Sequence, residues 1–181
     1  MDFYTCIKGR RSIRKFEDRE VPRETVCELV RAASLAPSWK NSQTVRYHAV
    51  FSKTLKARIA QEATFTFSKN RMNIDGAPLL MAVTTVDGIS GYEPDGSPTT
   101  DKGSHWQSFD AGLSVGNFCL AAHEAGLGTV ILGIFSQDKV REILELPESE
   151  SVSALVLVGY PAECPRMPVR KETDELLILH E

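Results

Sequence analysis

Cysteine is scarce and scattered in this chain. The four residues, Cys6, Cys27, Cys119 and Cys164, form no Cys-x-x-Cys pair and no cysteine/histidine cluster at zinc-ligand spacing, which excludes a disulfide scaffold or a zinc module as the organising device. No apolar run reaches the length of a membrane span, and Met1 to Cys6 lacks the apolar stretch of a signal peptide, so a cytoplasmic protein without a membrane partner is expected. Neither sign of charge dominates: 21 Lys and Arg stand against 24 Asp and Glu, a net charge of -3, which gives no electrostatic reason for binding nucleic acid. Gly-x-Gly-x-x-Gly is absent, so a Rossmann nicotinamide site is not indicated. Internal repeats and low-complexity tracts are missing too, and 181 residues suit one well-buried domain.

What is present reads as alternating helices and strands. Val26, Leu29, Val30 and Ala33 recur at helical spacing after Pro22, and Ala36-Pro37 stops that helix. Arg46 to Phe51 is β-prone, and Thr54 to about Ala63 returns to a helical pattern. Pro78 to Val86 and Ser153 to Tyr160 are short, continuous apolar runs, which predicts two buried strands. Between Asp87 and Gly103, four glycines and two prolines predict a surface loop. The stretch Asp110 to Ala125 is apolar around most of its circumference, with Phe109, Leu113, Phe118 and Leu120 well spread, so a central helix is expected. Thr129 to Leu132 predicts a strand and Gln137 to Leu144 a helix. Beyond Pro161 the chain is proline-rich and ends in the apolar Leu176 to Leu179. That arm predicts a late strand docked elsewhere, on a partner subunit.

Two segments carry chemistry. Lys8, Arg10, Arg11, Arg14 and Lys15 place five cations in eight residues around Ser12, and arginine forms forked, charge-assisted hydrogen bonds to phosphate oxygens. Read alone, the stretch is equally a solvated basic segment balanced by Glu17, Asp18 and Glu20. The second segment, Pro37 to Gln43, offers hydroxyl, indole, ammonium and amide groups within seven positions, enough to satisfy the edges of a heteroaromatic ring, or simply to end a helix. Together they point to a phosphorylated aromatic cofactor.

With these segments, the helix Asp110-Ala111-Gly112-Leu113, the turn Gly126-Leu127-Gly128-Thr129, the run Ile131-Leu132-Gly133 and the strand end Val158-Gly159-Tyr160-Pro161 in view, the chain resembles the nitroreductase family of small FMN-dependent oxidoreductases. The resemblance covers nearly the whole length, and the order and spacing of the motifs carry it. It implies an α+β fold, a mixed β-sheet flanked by helices. It also implies one domain over residues 1–181, with a C-terminal arm from about residue 161 exchanged as a swapped strand in a homodimer.

By the same resemblance Arg10, Arg11 and Ser12 bind the phosphate and ribityl side of FMN, with Arg14 near the ribityl chain or pyrimidine edge. A cation at that edge would stabilise the charge that gathers on reduction. Pro37, Ser38, Trp39, Asn41 and Gln43 meet the ring, several of them from the neighbouring subunit. Ile131, Leu132 and Gly133 pass the ring and offer it a backbone N–H, and Arg170 and Lys171 match a basic pair that closes on the phosphate. The implied activity is a ping-pong exchange. NAD(P)H and an electron-poor acceptor, a nitroaromatic or quinone, use one cleft in turn. No side-chain acid or base is required, so no catalytic side chain is assigned, and no metal is expected.

Specificity is expected in a lid between Phe65 and Trp106, where Phe65, Phe67, Tyr92, His105 and Trp106 are candidates to stack on an aromatic substrate. His105 is also a candidate proton donor. Two departures from the family pattern stand out. Thr44-Val45-Arg46 replaces the Pro-Trp that many relatives carry after the glutamine, and the lid lacks the long insertion of relatives that remove halogen from tyrosines. A different class of function stays open, a non-catalytic flavin-binding or redox-responsive dimer, and so does a structural dimer that has lost the cofactor.

Overall fold

A computed structural model describes residues 1–180. Four strands pair in the order β1-β2-β4-β3: β1 (Val45–Val50), β2 (Leu79–Val86), β3 (Gly128–Leu132) and β4 (Glu150–Gly159). All three pairings are antiparallel. Parallel pairing enters only through an isolated bridge from Ser12 to Thr129. The expected α+β sheet flanked by helices is therefore present.

The central strands β2 and β4 are apolar without alternation because both of their faces are covered. On one side Leu80, Ala82, Val130, Leu132, Leu155 and Leu157 pack with Ile59, Ile74, Val140 and Ile143. These come from α3 (Lys53–Arg58, extended by a π turn over Ile59–Ala63), α4 (Ser68–Asp75) and α6 (Gln137–Leu144). On the other side Leu79, Met81, Val83, Val156 and Val158 pack with Val26, Leu29, Val115 and Phe118, from α2 (Arg23–Ser34) and α5 (His105–Glu124). Tyr47 stacks on Phe118 with ring centroids 5.2 Å apart.

Several boundaries differ from the sequence reading. Helix α5 begins at His105 rather than Asp110, because Trp106 and Gln107 are held by side-chain bonds to Thr100 and Asp87. Two short helices went unread: α1 (Phe3–Gly9), which buries only Cys6, and α4, which is mostly polar. Helix α1 is short and leaves its apolar Phe3, Tyr4 and Ile7 exposed, and α4 lacks the apolar stripe by which a helix is recognised in sequence. Among the described residues the C-terminal arm forms no strand within the chain. Its Thr173–Leu176 closes into one short helical turn, α7, under a capping box from Glu172, and Leu177, Ile178 and Leu179 stand exposed. No helix among the described residues is long and apolar enough to cross a membrane.

Candidate functional site

The basic segment is fixed at both ends. Asp2 caps α1, and Gly9 lets the segment pass His123, because a Cβ there would lie 2.6 Å from its Nε2. Downstream, Ile13 N–H donates to the Thr129 carbonyl at 2.9 Å, and the Ile13 side chain seats against Gly128. Arg11 turns one guanidinium nitrogen back to the carbonyls of Lys8 and Arg10, at 2.6 and 2.7 Å. This satisfies the open C-terminal end of α1. Glu163, from the start of the arm, accepts the backbone N–H groups of Arg14 and Lys15 at 2.7 and 3.2 Å. Among the described residues no carboxylate lies within ion-pair distance of Arg10, Arg11 or Arg14. His123 feels that excess: burial, then Arg10 and Arg11, push its pKa below the usual imidazole range. Uncompensated cations on partly buried backbone are what an anion site requires.

Strand β3 lies at the sheet edge beside this segment. Since the Thr129 carbonyl faces outward to Ile13, strand alternation turns the N–H and C=O of Ile131 outward as well. Ile131 is half exposed, Leu132 is buried in the core, and no atom crowds Gly133. Leu132 thus contributes backbone alone, while Ser12 and Ile131 sit about two strand residues, roughly 7 Å, apart along one edge. The turn holding Phe65 and Phe67 is tied to the same end, since Ser136 N–H donates to Ala63 O at 2.7 Å and Asn70 to Ile134 O at 3.0 Å.

The loop Pro37 to Gln43, expected to meet the ring, sits elsewhere. It follows α2 and carries left-handed φ angles at Lys40, Asn41 and Gln43, of 45°, 56° and 49°. Gln43 N–H donates to Ser38 Oγ at 3.0 Å, and Trp39 N–H donates to both carboxylate oxygens of Asp110 at 3.1 Å. Trp39 packs on Trp106 at 4.8 Å between centroids, and Trp106 packs edge-on against Phe109 at 5.8 Å. The Trp39 indole N–H is buried without a partner. Pro37 and Ser38 line a small cleft of about 170 Å³ with Gln43, Tyr47, Asp110 and Ser114. Burial pushes the Tyr47 hydroxyl up to about 12. His105 is exposed on α5 one residue before Trp106.

One chain therefore brings the candidates together in two groups. The Trp39 loop meets α5 at Asp110, whereas the Arg10 segment meets it at His123, thirteen positions later. At 1.5 Å per residue the two groups are about 20 Å apart along the helix. Arg170 and Lys171 join neither and lie exposed on the arm. A separate cavity of about 950 Å³ shares no residue with either group. Its buried Lys56 bonds the carbonyls of Ala77 and Pro78, closing the start of β2. Sequence reasoning gave no site role to Asp110, Ser90, His123 or Gly128, although Asp110 and Gly128 stand in the motifs that carry the resemblance.

A family model described as the nitroreductase family matches residues 7–160. Among curated proteins, the chain is 27% identical to an iodotyrosine deiodinase of Haliscomenobacter hydrossis, covering 98% of this chain and 87% of that one. That alignment spans 201 positions, so the deiodinase carries segments this chain lacks. The chain is 28% identical to an NADH dehydrogenase of Thermus thermophilus, over 90% of this chain and 88% of the other. Among solved structures, an FMN-dependent nitroreductase from Clostridium difficile is 25% identical with a TM-score of 0.76, covering 99% of both chains.

Proposed function

Because the chain belongs to the nitroreductase family, we propose that it is an FMN-dependent oxidoreductase. It uses NAD(P)H to reduce nitroaromatics, quinones or similar electron-poor acceptors, working as a homodimer in the cytoplasm. The observation that carries this reading is the guanidinium groups of Arg10, Arg11 and Arg14, none of them in an ion pair among the described residues, beside the outward N–H of Ile131 on the β3 edge. Its donors fit the group: guanidinium forks and the Ser12 hydroxyl for a phosphate, an unpaired backbone N–H for a ring nitrogen.

Arg10, Arg11 and Ser12 hold the phosphate, and Ile131 to Gly133 hold the ring edge. Bound FMN supplies the uptake and release of hydride. The chain contributes binding, orientation and exclusion of water, with Phe65 and Phe67 at the β3 end of the cleft and Trp106 at the other. The two half-sites stand about 20 Å apart on one helix, so a second copy completes each cleft. The exposed stripe of Phe109, Gly112 and Gly116 on α5, with nothing within 4 Å of a Cβ on either glycine, suits that contact. Deiodination is not part of the reading: Asp87 to Ser104 is a short run of turns and bends, without the long insertion of relatives that remove halogen from tyrosines.

The test is the visible spectrum of the purified protein before and after denaturation, followed by stopped-flow mixing with NADH and NADPH. About one FMN per chain with fast bleaching and acceptor-dependent recovery supports the enzyme. Bound FMN that neither dinucleotide bleaches supports the flavin-binding alternative. A colourless protein that takes up no FMN removes both.

A further inference from the structure

Asp110 is an acid buried to 2% exposure in the interior of α5, and among the described residues it makes no ion pair. It lies five residues inside the helix start, so capping does not account for it. Its two oxygens accept the Trp39 N–H, and Oδ2 also accepts the Ser90 hydroxyl at 2.7 Å. Ser90, fully buried, lies 2.9 Å from Ser42 Oγ and 3.3 Å from Thr44 Oγ1. A carboxylate only accepts, and a hydroxyl has one proton to give. Ser90 must therefore donate to Asp110, and Ser42 and Thr44 must donate to Ser90. One acid thus sets the direction of a chain of hydrogen bonds joining α5, the segment after β2 and both ends of the Trp39 to Thr44 loop.

The loop needs such an anchor. Three non-glycine residues in four positions hold left-handed backbone, a conformation that Lys40 and Gln43 disfavour and Asn41 tolerates. Lys40 to Glu93, at 3.3 Å, is the second tie between the loop and the segment after β2. We propose that Asp110 is a positioning residue that pre-forms the ring-facing loop and couples it to residues 87–103, so that FMN affinity depends on an acid that never touches the cofactor. This rests on the flavin reading above.

The chain has two tryptophans, and they pack on one another, tilted by 46° with centroids 4.8 Å apart, so near-ultraviolet circular dichroism of the apoprotein reports the loop directly. The experiment compares wild type with Asp110→Ala, Asp110→Asn, Ser90→Ala and Val140→Ala, reading that signal, the melting temperature and the FMN dissociation constant. Asp110→Ala is expected to lose the paired-tryptophan signal and to bind FMN about tenfold more weakly, as a loop competent about a tenth of the time would. Asparagine can accept from Trp39 N–H and donate to Ser90, so Asp110→Asn recovers most of both. Val140→Ala lies across the sheet from α5 and lowers the melting temperature without either change. The proposal is overturned if Asp110→Ala retains the signal and the affinity, or if Val140→Ala reproduces both losses. Should Asp110→Ala not fold, Ser90→Ala decides by the same two readouts. If wild type takes up no FMN the flavin reading fails, and the tryptophan signal still shows whether Asp110 orders the loop.

Discussion

Gly128→Ala tests whether the basic segment is held by its seat on β3. The added methyl would lie 2.6, 2.7 and 2.9 Å from Cγ1, Cβ and Cγ2 of Ile13. Because Cβ is among them, no side-chain rotation relieves the contact, and the backbone of the segment must move. Overpacking of this kind costs about 1–3 kcal/mol. Losing the Ile13 N–H to Thr129 carbonyl bond adds about 1 kcal/mol. The expected loss is therefore about 2–4 kcal/mol, or a fall of about 1–2 M in the urea midpoint at a slope near 2 kcal/mol/M. The displaced segment carries Arg10 to Ser12, so the FMN dissociation constant should rise at least about tenfold, about 1.4 kcal/mol. Gly133→Ala is the matched comparison for stability. Nothing lies within 4 Å of a Cβ there and its φ is outside the left-handed region, so its stability should stay within about 0.5 kcal/mol of wild type, a midpoint shift of at most about 0.3 M. Equal midpoints for Gly128→Ala and wild type would refute the seating of Ile13 on the strand.

Two further outcomes concern the anion site. Arg10→Ala should weaken FMN binding by about tenfold or more, since charge-assisted hydrogen bonds contribute about 1.5–3 kcal/mol, while leaving riboflavin binding unchanged. Titration of both ligands by flavin fluorescence checks this, and an equal loss for riboflavin would place Arg10 away from the phosphate. His123 has its pKa lowered by burial and then by Arg10 and Arg11, so the unfolded chain binds the extra proton first as pH falls. Its contribution to stability is lost as pH drops through the ordinary value of 6.5 and levels off below the folded value. A phosphate beside the two arginines reverses part of that effect, so NMR titration should show the His123 pKa rising when FMN is added. No change on saturation would separate His123 from the cofactor.

The strands and the long helices were legible because burial on both faces writes continuous apolar runs, as in Leu79 to Val83 and Leu155 to Val158. The polar helix α4 was not legible, because its place is set by Asn70 bonding the Ile134 carbonyl, a contact 64 residues distant that no local pattern announces. The basic segment was visible as a cluster of charge. What pins it was not, since Gly9 and Gly128 look like ordinary helix-end and strand-start glycines until His123 and Ile13 are seen against them. The arm was read as a strand from its apolar residues. That strand was expected on a partner subunit, and within one chain Leu177 to Leu179 lie exposed and pair with no strand.

The separation of the half-sites along α5 leads to a last prediction. In a two-fold contact between antiparallel helices, a residue at the axis meets its own copy, and residues equally far on either side meet one another. An axis passing at Gly116 sets position 110 of one copy opposite position 122 of the other. That brings the Asp110-held loop of one subunit to the Arg10 and His123 end of its partner, and closes the gap of about 20 Å at a stroke. Gly116 is exposed and free of neighbours, as close approach of two backbones requires. Gly116→Cys, in a chain whose exposed Cys27 and Cys164 are replaced by serine, should then form a disulfide with its own copy under mild oxidation. Such a bond needs Cα atoms about 4.4–6.8 Å apart, so it reports the axis and not mere dimerisation. Mass spectrometry of the non-reduced protein together with flavin absorbance gives the answer. A cross-linked dimer keeping about one FMN per chain is the expected result. A dimer in solution that resists cross-linking would move the axis off Gly116 and leave the two half-sites unmatched by this packing.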